Sequence, residues 1–171
     1  MIKGTSRRRM TRALLKAGLV AVVSAMVVGG VATSGVVSVH ADDLEVVGTP
    51  SLQPEGNIEV QDEESTYGLV SGIDLTPFLD RSVQLVGNVD GGTLFVHELT
   101  VGAIDVQSQD GVVTITTVGT VEETENGFHA TVEGITFTLV DSDDLAGSVG
   151  QQVTIEGELA GTWISVTSLG T

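Results

Sequence analysis

The chain has no cysteine, only three prolines, and a single cation, Arg81, after residue 16. Without cysteine there can be no disulfide scaffold, no lipid-anchored Cys, no thiol nucleophile and no thiolate metal site. Of the 7 Lys and Arg residues, Lys3, Arg7, Arg8, Arg9, Arg12 and Lys16 all precede Ala17. The rest of the chain therefore cannot make the phosphate contacts that nucleic-acid binding requires. Acid is plentiful instead: 23 Asp and Glu, none before Asp42, give the whole chain a formal charge of −16.

The distribution of charge identifies a leader. Residues 1–16 are basic, and the stretch from Ala17 to Val39 is uncharged and rich in Val, Ala and Leu. It closes on Val39-His40-Ala41, small residues at the −3 and −1 places of a signal-peptidase site, and Asp42-Asp43 follows. Basic, apolar and small-residue segments in that order read as a secretory signal peptide over residues 1–41. A retained anchor is the competing reading, because the uncharged stretch is long enough to span a bilayer. Gly29-Gly30 and Thr33-Ser34-Gly35 weaken it. Ser6-Arg7-Arg8-Arg9-Met10 leaves general and twin-arginine export both open. The expected location is outside the cytoplasmic membrane: secreted, periplasmic or on the cell surface, with no stable span after cleavage. Removal of the leader leaves 130 residues in which 23 acids face one cation, a net charge of −22.

This mature part is built of strand formers. Val, Ile and Thr supply 43 of its 130 residues and Ala only four. Such a composition favours strands over helices. Alternation is clear in Val113-Thr-Ile115-Thr-Thr117, Phe128-His-Ala130-Thr-Val132, Ile135-Thr-Phe137-Thr-Leu139 and Val153-Thr-Ile155. Asp90-Gly91, Asp110-Gly111 and Asn126-Gly127 supply hairpin signals. One face of each strand is polar, which implies an antiparallel sheet or barrel.

The same pattern is written twice. At an offset of 70, Tyr67 meets Phe137, Leu69-Val70 meets Leu139-Val140, and Asp74-Leu75 meets Asp144-Leu145. Val83, Gly87, Val96 and Leu99 meet Val153, Gly157, Val166 and Leu169. At an offset of 71, Gly48-Thr49 meets Gly119-Thr120 and Gly56 meets Gly127. We read two copies, 45–103 and 112–171, joined by a linker at 104–111, with 42–56 as an acidic, partly flexible lead-in. Each copy carries three strands, a short helical turn N-capped by Asp74 or Asp143, and two more strands. That is the strand order of an OB-type barrel. The expected fold is all-β, two tandem five-stranded OB-like β-barrels. A single β-sandwich of all the strands is the alternative.

The run Tyr67-x-Leu69…Asp74-Leu75…Val83-x-Leu85-x-Gly87…Leu94-x-Val96 has an echo ending Val153-Thr-Ile155-Glu-Gly157…Ile164-x-Val166. It resembles small secreted bacterial OB-like domains of unknown function. The resemblance spans most of the mature chain and rests on turn glycines and core aliphatics, so it implies a fold and no activity. In those domains a Gly-Lys-x-Val-x-Val-x-Gly run usually leads the fourth strand. Here Asp80-Arg81-Ser82 and Gly150-Gln151-Gln152 stand in its place.

Few residues could carry chemistry. His97 and His129 have neither a counterpart in the other copy nor a second His at metal-ligand spacing. No nucleophile elbow, phosphate loop or dinucleotide fingerprint occurs. Acidic clusters at Asp62-Glu63-Glu64, Glu122-Glu123-x-Glu125 and Asp141-Ser-Asp143-Asp144 offer hard oxygen ligands. Asp141, Asp143 and Asp144 are the candidate set for Ca²⁺, although EF-hand spacing is absent. The bland alternative is a solvated acidic surface. Trp163, the one tryptophan, is the candidate ligand contact, as a sugar-stacking platform; the alternative is that it fills a core.

These readings converge on an exported, non-catalytic binding or structural module, with divalent cations or extracellular glycan as partners. A polysaccharide or cell-wall hydrolase using a carboxylate pair is the alternative, as is a weak Ca²⁺-binding surface protein. The leader makes a direct prediction: mass spectrometry of protein recovered outside the cytoplasm should find Asp42 at the N-terminus. A full-length, membrane-bound species would refute cleavage.

Overall fold

The computed structural model describes residues 43–62 and 64–170. The expected signal peptide and cleavage site, together with Glu63 and Thr171, lie outside the described residues. What is described is almost entirely β-structure. Twelve strands run β1 (Asp43–Gly48), β2 (Ser51–Leu52), β3 (Ile58–Gln61), β4 (Thr66–Ser71), β5 (Val83–Asp90), β6 (Thr93–Val101), β7 (Ile104–Gln109), β8 (Val112–Thr124), β9 (Gly127–Val132), β10 (Ile135–Val140), β11 (Gln152–Ala160) and β12 (Trp163–Gly170). All twelve are hydrogen-bonded into one continuous sheet. Among the described residues no helix is long and apolar enough to cross a membrane.

The two halves pair in the same way. In the first, β5 lies between β1 and β6, β6 runs parallel to β4, and β3 joins β4 to β2. In the second, β11 lies between β8 and β12, β12 runs parallel to β10, and β9 joins β10 to β8. The parallel registers correspond: Gly68 faces Thr93 and Leu69 faces Leu94, while Thr138 faces Trp163 and Leu139 faces Ile164. A 3₁₀ turn follows the third strand of each half, at Thr76–Phe78 and Ala146–Ser148.

The expected caps of these turns are only partly present. Asp74 Oδ1 accepts the backbone N–H of Thr76 at 2.9 Å from two residues ahead of the turn, while Leu75 holds the N-cap position. Asp143 does not cap: Leu145 holds the N-cap position of the second turn, without a side-chain bond. A turn of three residues leaves little for a cap to stabilise.

Core and register follow from strand alternation. In β11, Val153, Ile155 and Leu159 are buried while Gln152, Glu158 and Ala160 face out. The inward rows of both halves belong to one connected apolar cluster, including Phe78, Leu85, Leu94, Phe137, Ile155 and Ile164. Each half contains the same irregularity. The ladder slips between Val86 and Gly87 against β6, and between Glu156 and Gly157 against β12. A Cβ on Gly87 would lie 2.2 Å from the Phe95 carbonyl oxygen, and one on Gly157 2.3 Å from that of Ser165. These strands therefore approach so closely that only glycine fits.

The turn chemistry is partly as expected. Asp110-Gly111 is the two-residue loop between β7 and β8, with φ of 53° and 81°. Asp90-Gly91 is not a loop. Asp90 ends β5 opposite Thr93, and Gly91-Gly92 makes the turn, with φ of 57° and 84°. A type I′ loop needs positive φ at both positions, and two glycines adopt it without a Cβ clash. Asn126-Gly127 is also displaced: Thr124 pairs with Gly127, so Glu125-Asn126 forms the loop.

The stretch 104–111 joins the halves as part of the sheet. β7 pairs with β6 on one edge and with β8 on the other. Val101, Ile104 and Val106 are buried at this junction. Thr117 is buried as well, and its hydroxyl donates to the Ala103 carbonyl at 2.9 Å. Arg81 reaches from ahead of β5 to the turn after β9, donating to the carbonyls of Glu133 and Gly134. The lead-in 42–56 contributes β1, whose six residues all pair with β5 and bury Val46.

Truncation and crowding should act differently at these places. Ile155→Ala should destabilise the protein by about 2–4 kcal/mol, because the side chain is fully buried. Gly157→Ala should cost about 1–3 kcal/mol by overpacking against main chain. Gly68→Ala, where a Cβ meets open space, should change stability by less than ~1 kcal/mol. Urea melts of the three variants check this ranking.

Candidate functional site

The face of the C-terminal half that points to solvent carries the one tryptophan. In β12, Ile164 and Val166 are buried, so period-2 alternation turns Trp163 and Ser165 outward. Trp163 is 56% exposed. It stands in a continuous row of strand partners: Glu122 faces His129, His129 faces Thr138, Thr138 faces Trp163, and Trp163 faces Ala160. The next row pairs Val140 with Ser165 and Ser165 with Glu158.

Beside the indole lies a depression of about 380 Å³, lined by residues that include Val112, Val113, Val140, Glu158, Ala160 and Trp163. The β8–β11 ladder ends with Glu158 opposite Thr114, and Val112, Val113, Leu159 and Ala160 beyond that pair line the depression. Val112 (46% exposed) and Trp163 are its large exposed side chains. One carboxylate, Glu158, is part of the lining. Ser165 also lines it and donates its hydroxyl to Asp141 Oδ2 at 2.9 Å. A second, shallower depression of about 420 Å³ lies against Val47, Gly48, Thr49, Gln61 and Asp62. It holds no aromatic residue.

The histidines have local partners. His129 Nδ1 sits 3.1 Å from the Gly127 carbonyl oxygen and 3.2 Å from the Thr124 hydroxyl. His97 Nε2 lies 3.5 Å from Asp43 Oδ2, whose side chain is almost wholly covered. The acidic clusters are dispersed or locally engaged. Asp62 Oδ1 accepts the backbone N–H groups of Glu64 at 2.8 Å and Ser65 at 2.6 Å, an Asx-type turn. Asp141 is held by Ser165, and the Asp144 carbonyl accepts the Ser148 hydroxyl at 3.0 Å. Among the described residues no three His, Asp or Glu side chains are grouped as metal ligands.

Of the candidate site residues, Trp163 lines the depression on β12 and Asp62 the other one; of Asp141, Asp143 and Asp144, only Asp141 is tied to a residue lining the first. Glu158, Ala160, Val112, Val113 and Val140 were not singled out. One signal was present: if Ile164 and Val166 are core, their neighbour Trp163 must face out. Compared with protein families, curated proteins and solved structures, the chain matches none.

The dispersed acids generate a prediction about cations. Like charges at −22 repel, and screening shortens their reach from ~30 Å at 0.01 M salt to ~3 Å at 1 M. Thermal stability should therefore rise with NaCl. CaCl₂ at matched ionic strength should add no more, because a specific site would contribute RT ln(1 + [L]/Kd) beyond screening. Melting curves in the two salts measure the difference. A calcium excess that disappears when Asp141, Asp143 and Asp144 are all changed to Asn would establish a site there.

Proposed function

We propose that this chain is an exported, non-catalytic binding module of two tandem OB-like barrels, acting outside the cytoplasmic membrane, with an extracellular glycan as its ligand. The barrel reading is supported by the cycle of pairings in the second half, β8–β9–β10–β12–β11 and back to β8. The first half has the same order if β1 and β2 are taken as one interrupted strand. Both parallel contacts and both ladder slips recur at an offset of 70. On an OB-type barrel the second and third strands and the neighbouring loops form the usual ligand face. Here β9 and β10 contribute His129 and Thr138 to the row that includes Trp163.

The observation that carries the binding reading is the exposed indole beside a depression. A flat apolar ring fixed on a sheet offers a stacking surface for the C–H face of a sugar. Binding is favoured over hydrolysis because the lining holds one carboxylate where glycoside hydrolysis uses a pair. Export is supported by the leader, whose basic, apolar and small-residue segments precede the β-structure.

With a single tryptophan, intrinsic fluorescence reports this site alone. A glycan that binds there should shift the Trp163 emission to shorter wavelength, saturably. Trp163→Ala should weaken that binding by about tenfold or more, measured by calorimetry, with the melting temperature little changed. A panel of bacterial and host-derived glycans that leaves the emission untouched would refute the reading.

A further inference from the structure

We propose that the Trp163 depression takes an amino sugar bearing a free ammonium group, with the indole on its C–H face and the Glu158 carboxylate on its charge. This deepens the glycan-binding reading above and rests on it. Glu158 is the only charged side chain in the lining. It pairs with Ser165 while Ala160 pairs with Trp163, so it is the diagonal neighbour of the indole, within reach of a long side chain. Stacking surface and charge are thus supplied by two groups side by side. That suits a ligand whose apolar face and ammonium point in different directions. The Asp141 carboxylate, held by Ser165, adds negative charge at the rim.

The charge of the site selects the sign of the ligand. Arg81, the only Lys or Arg among the described residues, is occupied by the carbonyls of Glu133 and Gly134. An anionic sugar would meet only carboxylates, whereas an ammonium gains Glu158 and the potential of the whole acidic surface.

The fold itself does not require these side chains. At the offset of 70, Thr93 occupies the place of Trp163 and Asn88 that of Glu158, with the same pairing and the same ladder slip. An indole and a carboxylate have been added to one copy of a framework that the other copy builds without them.

Titration of the purified protein at 0.15 M NaCl, followed by Trp163 emission and calorimetry, decides the matter. The probes are a β-1,4-linked glucosamine tetramer, its N-acetylated counterpart, a neutral glucose tetramer and tetralysine. The glucosamine tetramer should bind three- to fivefold more tightly than either uncharged sugar, about the contribution of one exposed ion pair. Glu158→Gln should remove that preference, and Glu125→Gln, on the distant β8–β9 turn, should leave it within about twofold. Equal binding of all three sugars would overturn the ammonium assignment and leave glycan binding standing. Equal loss in Glu125→Gln would reduce it to general charge attraction, and tetralysine binding with the same Glu158 dependence would overturn the sugar. Binding of no sugar at all would refute both this inference and the reading beneath it.

Discussion

Along a paired strand, successive side chains must go to opposite faces, and most of what holds this protein together depends on that alternation. There is no disulfide to close the chain, and among the described residues ion pairs cannot form a network around one arginine, Arg81. Stability has to come from the inward rows, where Leu85, Leu94, Phe137, Ile155 and Ile164 are fully covered. The same rule sends Thr, Glu and Asp outward, so the acid load is carried at the surface, where solvent and salt attenuate it. It also sends Phe95 and Trp163 outward, because each is followed by a residue that the core requires.

The second constraint is at the junction. β7 is hydrogen-bonded to β6 and to β8, so the ladder continues from one half into the other. Val101, Ile104 and Val106 give the junction an apolar inner side, and the Thr117 hydroxyl is satisfied by the Ala103 carbonyl. A buried hydroxyl without a partner would have been costly there. Arg81 closes a further contact across the halves through main-chain carbonyls rather than through any of the 23 acids. The only basic side chain in this part of the chain serves to position two turns.

The halves differ in what they display. Their strand order, parallel contacts and glycine-dependent slips correspond, whereas the outward rows do not. Val70 and Phe95 stand where Val140 and Ser165 stand in the second half. Divergence on the outer face leaves the inner rows intact, since the two faces are separated by the sheet itself. A binding surface can therefore change on this scaffold without disturbing its core.

Much of the architecture was legible in the sequence because it is written in local rules. The two strands that close each half, expected at 82–89, 93–101, 151–159 and 162–169 and found within a residue of those bounds, the brief 3₁₀ turns and the cramped Gly87 and Gly157 follow from alternation and from the offset of 70. Asp90-Gly91 misled because a glycine pair one residue later fits the turn better. Asp143 misled because Leu145, two residues later, holds the N-cap position of the turn. By itself the sequence determined the β-character, the inward rows and the charge of the surface, all properties of neighbours along the chain, and it left open whether Trp163 faces out or fills the core. Only the tertiary structure decided that β7 is shared by both halves and that Val112, Ala160, Glu158 and Val140 gather around Trp163. Those residues lie up to 51 positions apart in the sequence. Strand pairing between distant segments, which no local pattern specifies, brings them together.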